Sequence, residues 1–279
     1  MCRIAAYYGP PARLSVILGE PSHGLEDQSR NAREMNDGTV AGDGWGVGWS
    51  PTHDPKTPGM IKSILPLWSD ENARTAAHAI RSNAIVGHVR FASPGIEVCF
   101  TNTPLYPLDD WIWTVNGELT PWPGPLGLAL RERLDPEDEA AVRGSTDAEL
   151  LGALWRTERR RRGAADGLRA AFRVATDLAR RHGGGLNANA LLGGAEGLLA
   201  ARFASAGEPH SLYTLSDQPR WPGAILIASE PLDDGPGWRA VPPSSLVVVD
   251  RDGLRIEPLD LDAARDGDPL RTGAQTVGT

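Results

Sequence analysis

An α+β fold of sheets covered by helices is the class that this chain of 279 residues predicts. Short apolar strands open it at Arg3–Tyr8 and fill the chain after residue 185. Between them Leu168, Ala171, Phe172, Ala175, Leu178 and Ala179 recur at helical spacing, the stripe of an amphipathic helix lying on a sheet. No linker-like change of composition interrupts the chain before about residue 261, so we expect one domain over residues 2–260. The polar stretch 261–279, rich in Asp, Gly and Thr, reads as a flexible tail.

Taken in order, Arg3–Tyr8 is a buried strand that Gly9-Pro10-Pro11 should stop, and Leu14–Leu18 is a short helix or turn. Gly19–Gly44 holds His23, Gln28, Asn31 and Asn36 with too few apolar residues for core, so it reads as one long loop, functional or disordered. In Asp43-Gly44-Trp45-Gly46-Val47-Gly48-Trp49 the glycines alternate with large residues. That suits a strand with bulk on one face and room for a close approach on the other. A phosphate-cradling loop is the poorer reading, because neither a Gly-Lys-Ser/Thr ending nor a helix pattern follows. Met60–Leu67 is a further strand, Asp70–Ile80 a helix with Ser69 as N-cap, and Asn83–Phe91 a strand ending in Arg90. Trp111–Leu119 is a strand containing Asn116-Gly117, a pair that favours a hairpin turn.

Leu126–Arg133 is a helix, and Ser145 or Thr146 caps another whose face carries Leu150, Leu151, Leu154 and Trp155. Arg159–Arg162 reads as the solvated end of that helix rather than a nucleic-acid patch. An amphipathic helix over 167–182 and the strands Leu186–Leu192, Gly197–Phe203, Ser211–Leu215, Ala224–Ser229, Ser245–Val249 and Leu254–Pro258 complete the chain. The last two strands join at Asp252-Gly253.

A formal net charge of −8 argues against a general binder of nucleic acid or anionic membrane and suits an enzyme of a small metabolite. No signal peptide and no run of about 18 apolar residues is present, so the expected compartment is the cytoplasm. Cys2 and Cys99 are the only cysteines, which leaves no disulfide framework; a single Cys2–Cys99 bridge is the minor reading beside two free thiols. No histidine pair has metal-ligand spacing, so neither a metal nor an organic cofactor is expected, and His88 reads as a satisfied strand residue. Whether copies of the chain form a homo-oligomer stays open.

Met1-Cys2-Arg3 carries the sharpest chemical signal. Removal of Met1 would leave a cysteine with a thiol and a free α-amine, a nucleophile and its base in one residue. The amine titrates near ~7.7–8.0, so a useful fraction can take the thiol proton at neutral pH. Arg3 adds a cation that favours the thiolate. The plainer reading is that residue 2 begins a strand. Arg90, followed by a turn with the hydroxyl of Ser93, could clamp a carboxylate, or could be a surface residue at a strand end. The Asn116 amide and the Gly117 N–H could hold a developing oxyanion as well as forming a turn. Asp147 could satisfy its helix dipole or accept a substrate ammonium.

Cys2, the Arg90 turn, Asn116-Gly117 and Ser145-Thr146-Asp147, in that order, resemble the class II glutamine amidotransferase domains of the N-terminal nucleophile hydrolases. The resemblance covers residues 2–257. It implies a four-layer αββα sandwich in which Cys2 is the nucleophile, Asn116 and Gly117 form the oxyanion hole, and Arg90 and Asp147 hold the carboxylate and ammonium of a γ-glutamyl substrate. Asp43-Gly-Trp-Gly-Val-Gly-Trp, Pro66-Leu67-Trp68 and Ala228-Ser229-Glu230-Pro231-Leu232-Asp233-Asp234 look most like the stand-alone branch of ergothioneine biosynthesis, which hydrolyses a γ-glutamyl amide. Val115 departs from the His that many members carry there, as does the wording of the 90–95 turn. A leaving amine of that pathway carries a trimethylammonium, and Trp45, Trp49, Trp111 and Trp113 could offer it an aromatic face. Trp45 and Trp113 are the substrate-binding candidates among them, against core packing. A glutaminase feeding ammonia to a separate synthase, and a catalytically silent γ-glutamyl binding protein, are the alternatives.

Overall fold

The computed structural model describes residues 1–35, 38, 40–51, 54 and 56–261; the expected tail, but for Leu261, lies outside them, as does Asn36. In chain order the elements are β1 (Arg3–Arg13), α1 (Ser15–Leu18), α2 (Leu25–Asn31), β2 (Trp45–Trp49), β3 (Gly59–Ser63), α3 (Glu71–Ala79) and β4 (Arg81–Val89). Then come β5 (Tyr106–Leu108), β6 (Trp111–Leu119), α4 (Pro125–Arg131), α5 (Pro136–Ala141), α6 (Asp147–Arg162) and α7 (Ala164–Arg181). The chain finishes with β7 (Leu186–Gly194), β8 (Gly197–Ala204), β9 (Tyr213–Gln218), β10 (Trp221–Ala228), β11 (Arg239–Ala240), β12 (Ser245–Asp250) and β13 (Gly253–Pro258). One sheet runs in the order β11-β9-β10-β1-β4-β2-β3, the other β13-β12-β8-β7-β6-β5, and the strand pairs described are antiparallel.

Three apolar clusters define four layers. Ala5, Tyr7, Trp45, Val47, Ile85 and Val89 face Ile17, Leu25 and Ala73 of the first helix layer. Trp111, Trp113, Val115, Ala188 and Ala190 face Leu150, Leu154, Trp155, Phe172 and Ala175 of α6 and α7. Between the sheets lie Ile4, Ala6, Val86, Ile112, Leu191, Leu198, Ala200, Ile227 and Val247. The period of two along a strand produces this partition, because successive side chains leave opposite faces. The architecture is the αββα sandwich expected from the resemblance.

β1 does not stop at Gly9-Pro10-Pro11. Between the pairs Tyr8↔Ala84 and Ala12↔Ser82, residues 9–11 stand opposite Asn83 alone, a bulge that takes the prolines, which lack N–H groups, out of the ladder. The glycines of β2 leave room for side chains of the other sheet rather than for a backbone: a Cβ on Gly46 would lie 3.2 Å from Leu105, and one on Gly48 2.9 Å from Ile112. The 19–44 stretch is not one loop, since α2 forms within it and Leu25, His23, Gln28 and Ser29 are buried. Its polar residues bury because they find partners, an outcome that mean polarity does not register. β3 ends at Ser63, and Asp70 rather than Ser69 caps α3, accepting from the Asn72 N–H. Thr146 caps α6.

The basic end of α6 is more engaged than a solvated face: Arg159 pairs with Asp110, Arg160 with Asp138, Arg161 with Asp135 and Arg162 with Glu158. Cys2 and Cys99 are both free thiols. Among the described residues no helix is long and apolar enough to cross a membrane.

Gly48→Val should press two methyl groups into Ile112 and lower stability by roughly 1–3 kcal/mol, the usual range for overpacking. Urea unfolding should show a lower midpoint at unchanged slope.

Candidate active site

The same alternation places the chemistry. Ile4 and Ala6 point between the sheets, so Cys2, two residues before Ile4, leaves the same face of the chain. On the neighbouring β4, Val86 and His88 point there too, and Arg90 follows in phase. From the opposite sheet Ile112, Thr114 and Asn116 point back. The His88 Nδ1 to Thr114 Oγ1 hydrogen bond of 2.8 Å shows the two faces meeting.

The Cys2 sulfur rests on the backbone of Phe91, accepting from its N–H at 3.3 Å and reaching its carbonyl at 3.5 Å. Burial pushes the thiol above its ordinary range; the Phe91 N–H and the Arg90 and Arg3 cations pull the other way and do not prevail. Arg3 does favour the thiolate, as expected, but less strongly than burial opposes it. Arg3 is itself fully buried and spent on other partners, so the resting group is a thiol that needs a base.

Arg90 is 3% exposed. Its main chain is held by two bonds, N–H to the Gly44 carbonyl at 2.8 Å and carbonyl to the Asp43 N–H at 3.0 Å. Nη2 donates to the Glu97 carbonyl at 3.1 Å, while Nη1 is buried with no partner. A guanidinium with an unused buried donor invites an anion, since leaving it unpaired is costly. The bland surface reading of Arg90 is thereby set aside.

Asn116-Gly117 is not a turn. β6 runs through it in unbroken register with β7, Asn116 opposite Asn189 and Gly117 opposite Ala188. Tertiary pairing overrides the dipeptide's hairpin preference here, and glycine is needed for another reason: at φ 151° a Cβ would stand 2.1 Å from the Asn187 carbonyl oxygen. Thr120 and Gly185 exchange both backbone bonds, so in an antiparallel ladder Leu119 and Gly117 turn their N–H groups away from β7. The Leu119 N–H there donates to Asp147 Oδ2 at 2.7 Å. The Gly117 N–H faces the same edge, which β5 covers only as far as Trp113. The Asn116 side chain is fully buried, and neither its Nδ2 nor its Oδ1 has a partner. The partnerless Asn116 amide and the edge-facing Gly117 N–H therefore lie side by side on β6.

Asp147 opens α6 and accepts from Leu119 and Ala148 N–H groups at 2.7 and 2.9 Å, which fixes its carboxylate beside the end of β6. Burial raises its pKa from 3.8 to about 6, against those backbone donors. His88 is buried and held neutral, its pKa lowered to about 3 by desolvation and then by Arg90 and Lys62.

Ser93 stands exposed in the turn beyond Arg90. Trp45 and Trp113 do not line the site. Both are fully buried on the helix-facing sides of their sheets, with indole N–H groups donating to Asp70 at 3.1 Å and to the Ala148 carbonyl at 2.9 Å, and Trp113 stacks on Trp155. Their odd positions in the strands put them in the cores, so the aromatic-receptor expectation fails for these two.

A group that the sequence places within a motif but gives no role is Glu230, just past β10. Its fully buried carboxylate takes Arg3 Nη1 and the Glu34 N–H on Oε1, both at 3.0 Å, and His23 Nε2 and the Arg33 N–H on Oε2, both at 2.8 Å. Desolvation alone would raise its pKa, but these donors hold it below the ordinary carboxylate range. His23 in turn binds Asp27 at 2.7 Å. Removing one partner from a buried pair of this kind costs roughly 3–5 kcal/mol. Its sequence signals were its place in the 228–234 stretch and a charge directly after an apolar strand, neither of which names its partners.

Two facing antiparallel sheets between helix layers, with the cysteine beside the start of β1 and open donors on β6, define a class II glutamine amidotransferase-type fold of the N-terminal nucleophile hydrolases. A solved class II domain protein from Silicibacter pomeroyi superposes with a TM-score of 0.71 at 23% identity, covering 92% of this chain and 99% of that one. The gamma-glutamyl-hercynylcysteine sulfoxide hydrolase of Mycobacterium tuberculosis strain CDC 1551 is 30% identical over 260 residues, covering 93% of this chain and 97% of that protein. The protein of that name from Mycolicibacterium smegmatis is 29% identical over 259 residues, 93% of this chain and 100% of its own. The chain belongs to the gamma-glutamyl-hercynylcysteine sulfoxide hydrolase family. No family model matches it.

Asp147 can hold an ammonium only when ionised, and its folded-state pKa near 6 lies above the ordinary 3.8. If Asp147 binds the substrate ammonium, the acid limb of kcat/KM that an amine base sets should steepen by up to a further tenfold per pH unit below about pH 6, and Asp147→Asn should remove that added steepness while lowering activity throughout. For stability the sign is opposite: the neutral form favours folding, so this contribution is full below about pH 4 and is lost as pH rises through about 6. Activity and thermal unfolding measured over pH 4–8 check both.

Proposed function

We propose that the chain hydrolyses the γ-glutamyl amide of γ-glutamyl hercynylcysteine sulfoxide, releasing glutamate through a thioester on Cys2. The observation that carries this reading is the convergence on one inter-sheet layer of a buried thiol, a guanidinium with an unused donor, and an asparagine amide without partners. Membership of the family supports the substrate class.

Met1 precedes the nucleophile, so the reading requires its removal. The freed α-amine then takes the thiol proton, and sulfur attacks the γ-carbonyl carbon. Charge gathers on the carbonyl oxygen, where Asn116 Nδ2 and the Gly117 N–H donate; one such donor contributes about 3–4 kcal/mol to the transition state. The C–N bond breaks as the ammonium returns its proton to the leaving nitrogen. Water, deprotonated by the same amine, then cleaves the thioester and glutamate leaves. Arg90 Nη1 binds the α-carboxylate and Asp147 the α-ammonium, so two opposite charges recognise the glutamyl end. With Trp45 and Trp113 in the cores, neither serves the leaving amine. Nothing in this scheme uses a metal or an organic cofactor.

Purified protein should show, by intact mass, a chain starting at Cys2, and should release glutamate from γ-glutamyl hercynylcysteine sulfoxide with kcat/KM well above that for glutamine. Cys2→Ala should leave no measurable turnover. Arg90→Lys, which keeps charge but loses the fork, should raise KM by an order of magnitude or more. Equal or greater turnover of glutamine would favour a glutaminase instead, and a retained Met1 with no turnover would favour a binding protein.

A further inference from the structure

Arg3, Glu230 and His23 are the most buried set of charges near the nucleophile, and the proposed chemistry gives them no role. Arg3 shares a sheet position with neither Cys2 nor Arg90; it points the other way, into the helix layer with Ala5 and Tyr7. Its Nε nevertheless reaches back to donate to the Cys2 carbonyl at 2.6 Å, its Nη2 lies 2.6 Å from Met1 Sδ, and its Nη1 holds Glu230 at 3.0 Å. Glu230 has all its acceptor capacity in use, two donors on each oxygen. Two of those donors are the backbone N–H groups of Arg33 and Glu34. That segment is fastened further by Tyr213, whose hydroxyl donates to Glu34 at 2.6 Å, and by the Arg33–Asp234 pair.

We propose that Glu230 is a positioning residue for the reaction at Cys2. By fixing the Arg3 guanidinium it fixes the Cys2 carbonyl, and with it the torsion that aims both the thiol and the α-amine, while the same carboxylate holds the backbone of residues 33 and 34. His23, braced by Asp27, keeps the second oxygen of Glu230 from turning toward Arg3. The nucleophile and its base sit on one residue, so a rotation at Cys2 misplaces both. Misplacements near 1 Å can cost about 10²-fold in rate.

This inference rests on the reading of Cys2 as nucleophile, and its test separates the two. Glu230→Gln keeps the shape but loses the charge and one acceptor. Steady-state glutamate release should show kcat reduced about 10²-fold with KM within about threefold of the parent, since Arg90 and Asp147 are untouched. Labelling of Cys2 by an electrophilic glutamine analogue should slow in parallel. Arg3→Lys, which retains charge and lacks Nε–H, should reproduce the kcat loss.

The double variant Arg3→Met/Glu230→Gln removes the buried cation together with its partner and so addresses folding. If it unfolds at the parent's temperature yet stays slow, the effect is positioning. Folded variants with parental kcat and labelling rate overturn the inference while leaving the function intact. A parent that neither turns over nor labels overturns both.

Discussion

The constraint on which the rest depends is the two-residue period of β1, a central strand with sheet neighbours on both sides. Ile4 and Ala6 must enter the inter-sheet core, and Ala5 and Tyr7 must enter the helix-facing core. A one-residue slip would exchange the two sets and expose or bury the wrong surfaces along the whole strand. Cys2 and Arg3 inherit that phase. The thiol is delivered to the layer that holds Arg90 and Asn116, and the guanidinium to the layer that holds Glu230. Packing of ordinary aliphatic residues thus sets the address of the reactive ones.

A second consequence is electrostatic. The site is assembled from buried polar groups whose needs the protein meets only in part. Arg90 Nη1 and both Asn116 side-chain atoms are left without partners, whereas Glu230 is saturated. Unsatisfied buried groups oppose folding, and they are tolerated where a ligand will complete them. The saturated carboxylate lies on the helix-layer side of β1 and the unsaturated groups on the inter-sheet side, where Cys2 points. This division matches a rigid support and a binding face.

Much of this was legible in the sequence where the signal is local or periodic. The strand run after residue 185, the helix under Trp155, its cap at Thr146, and the order of Cys2, Arg90, Asn116-Gly117 and Asp147 were all readable. What failed was what depends on contacts distant in sequence. Asn116-Gly117 resembles a hairpin turn until β7 pairs with it. Gly9-Pro10-Pro11 resembles a stop until Asn83 lies opposite a bulge. Trp45 and Trp113 could face either way until the neighbouring strands fix their phase. Glu230 meets Arg3 across 227 positions, and nothing near either residue announces the other. The 19–44 stretch looked too polar for core because its buried members are polar residues with partners elsewhere in the fold.

The most direct measurement is rapid acid quenching of the protein with γ-glutamyl hercynylcysteine sulfoxide, followed by mass analysis of the N-terminal peptide. The account predicts a peptide beginning at Cys2 that carries one glutamyl group, sensitive to hydroxylamine, formed before glutamate appears in solution. Turnover with no adduct on that peptide, or an adduct on a chain that still begins with Met1, would contradict it.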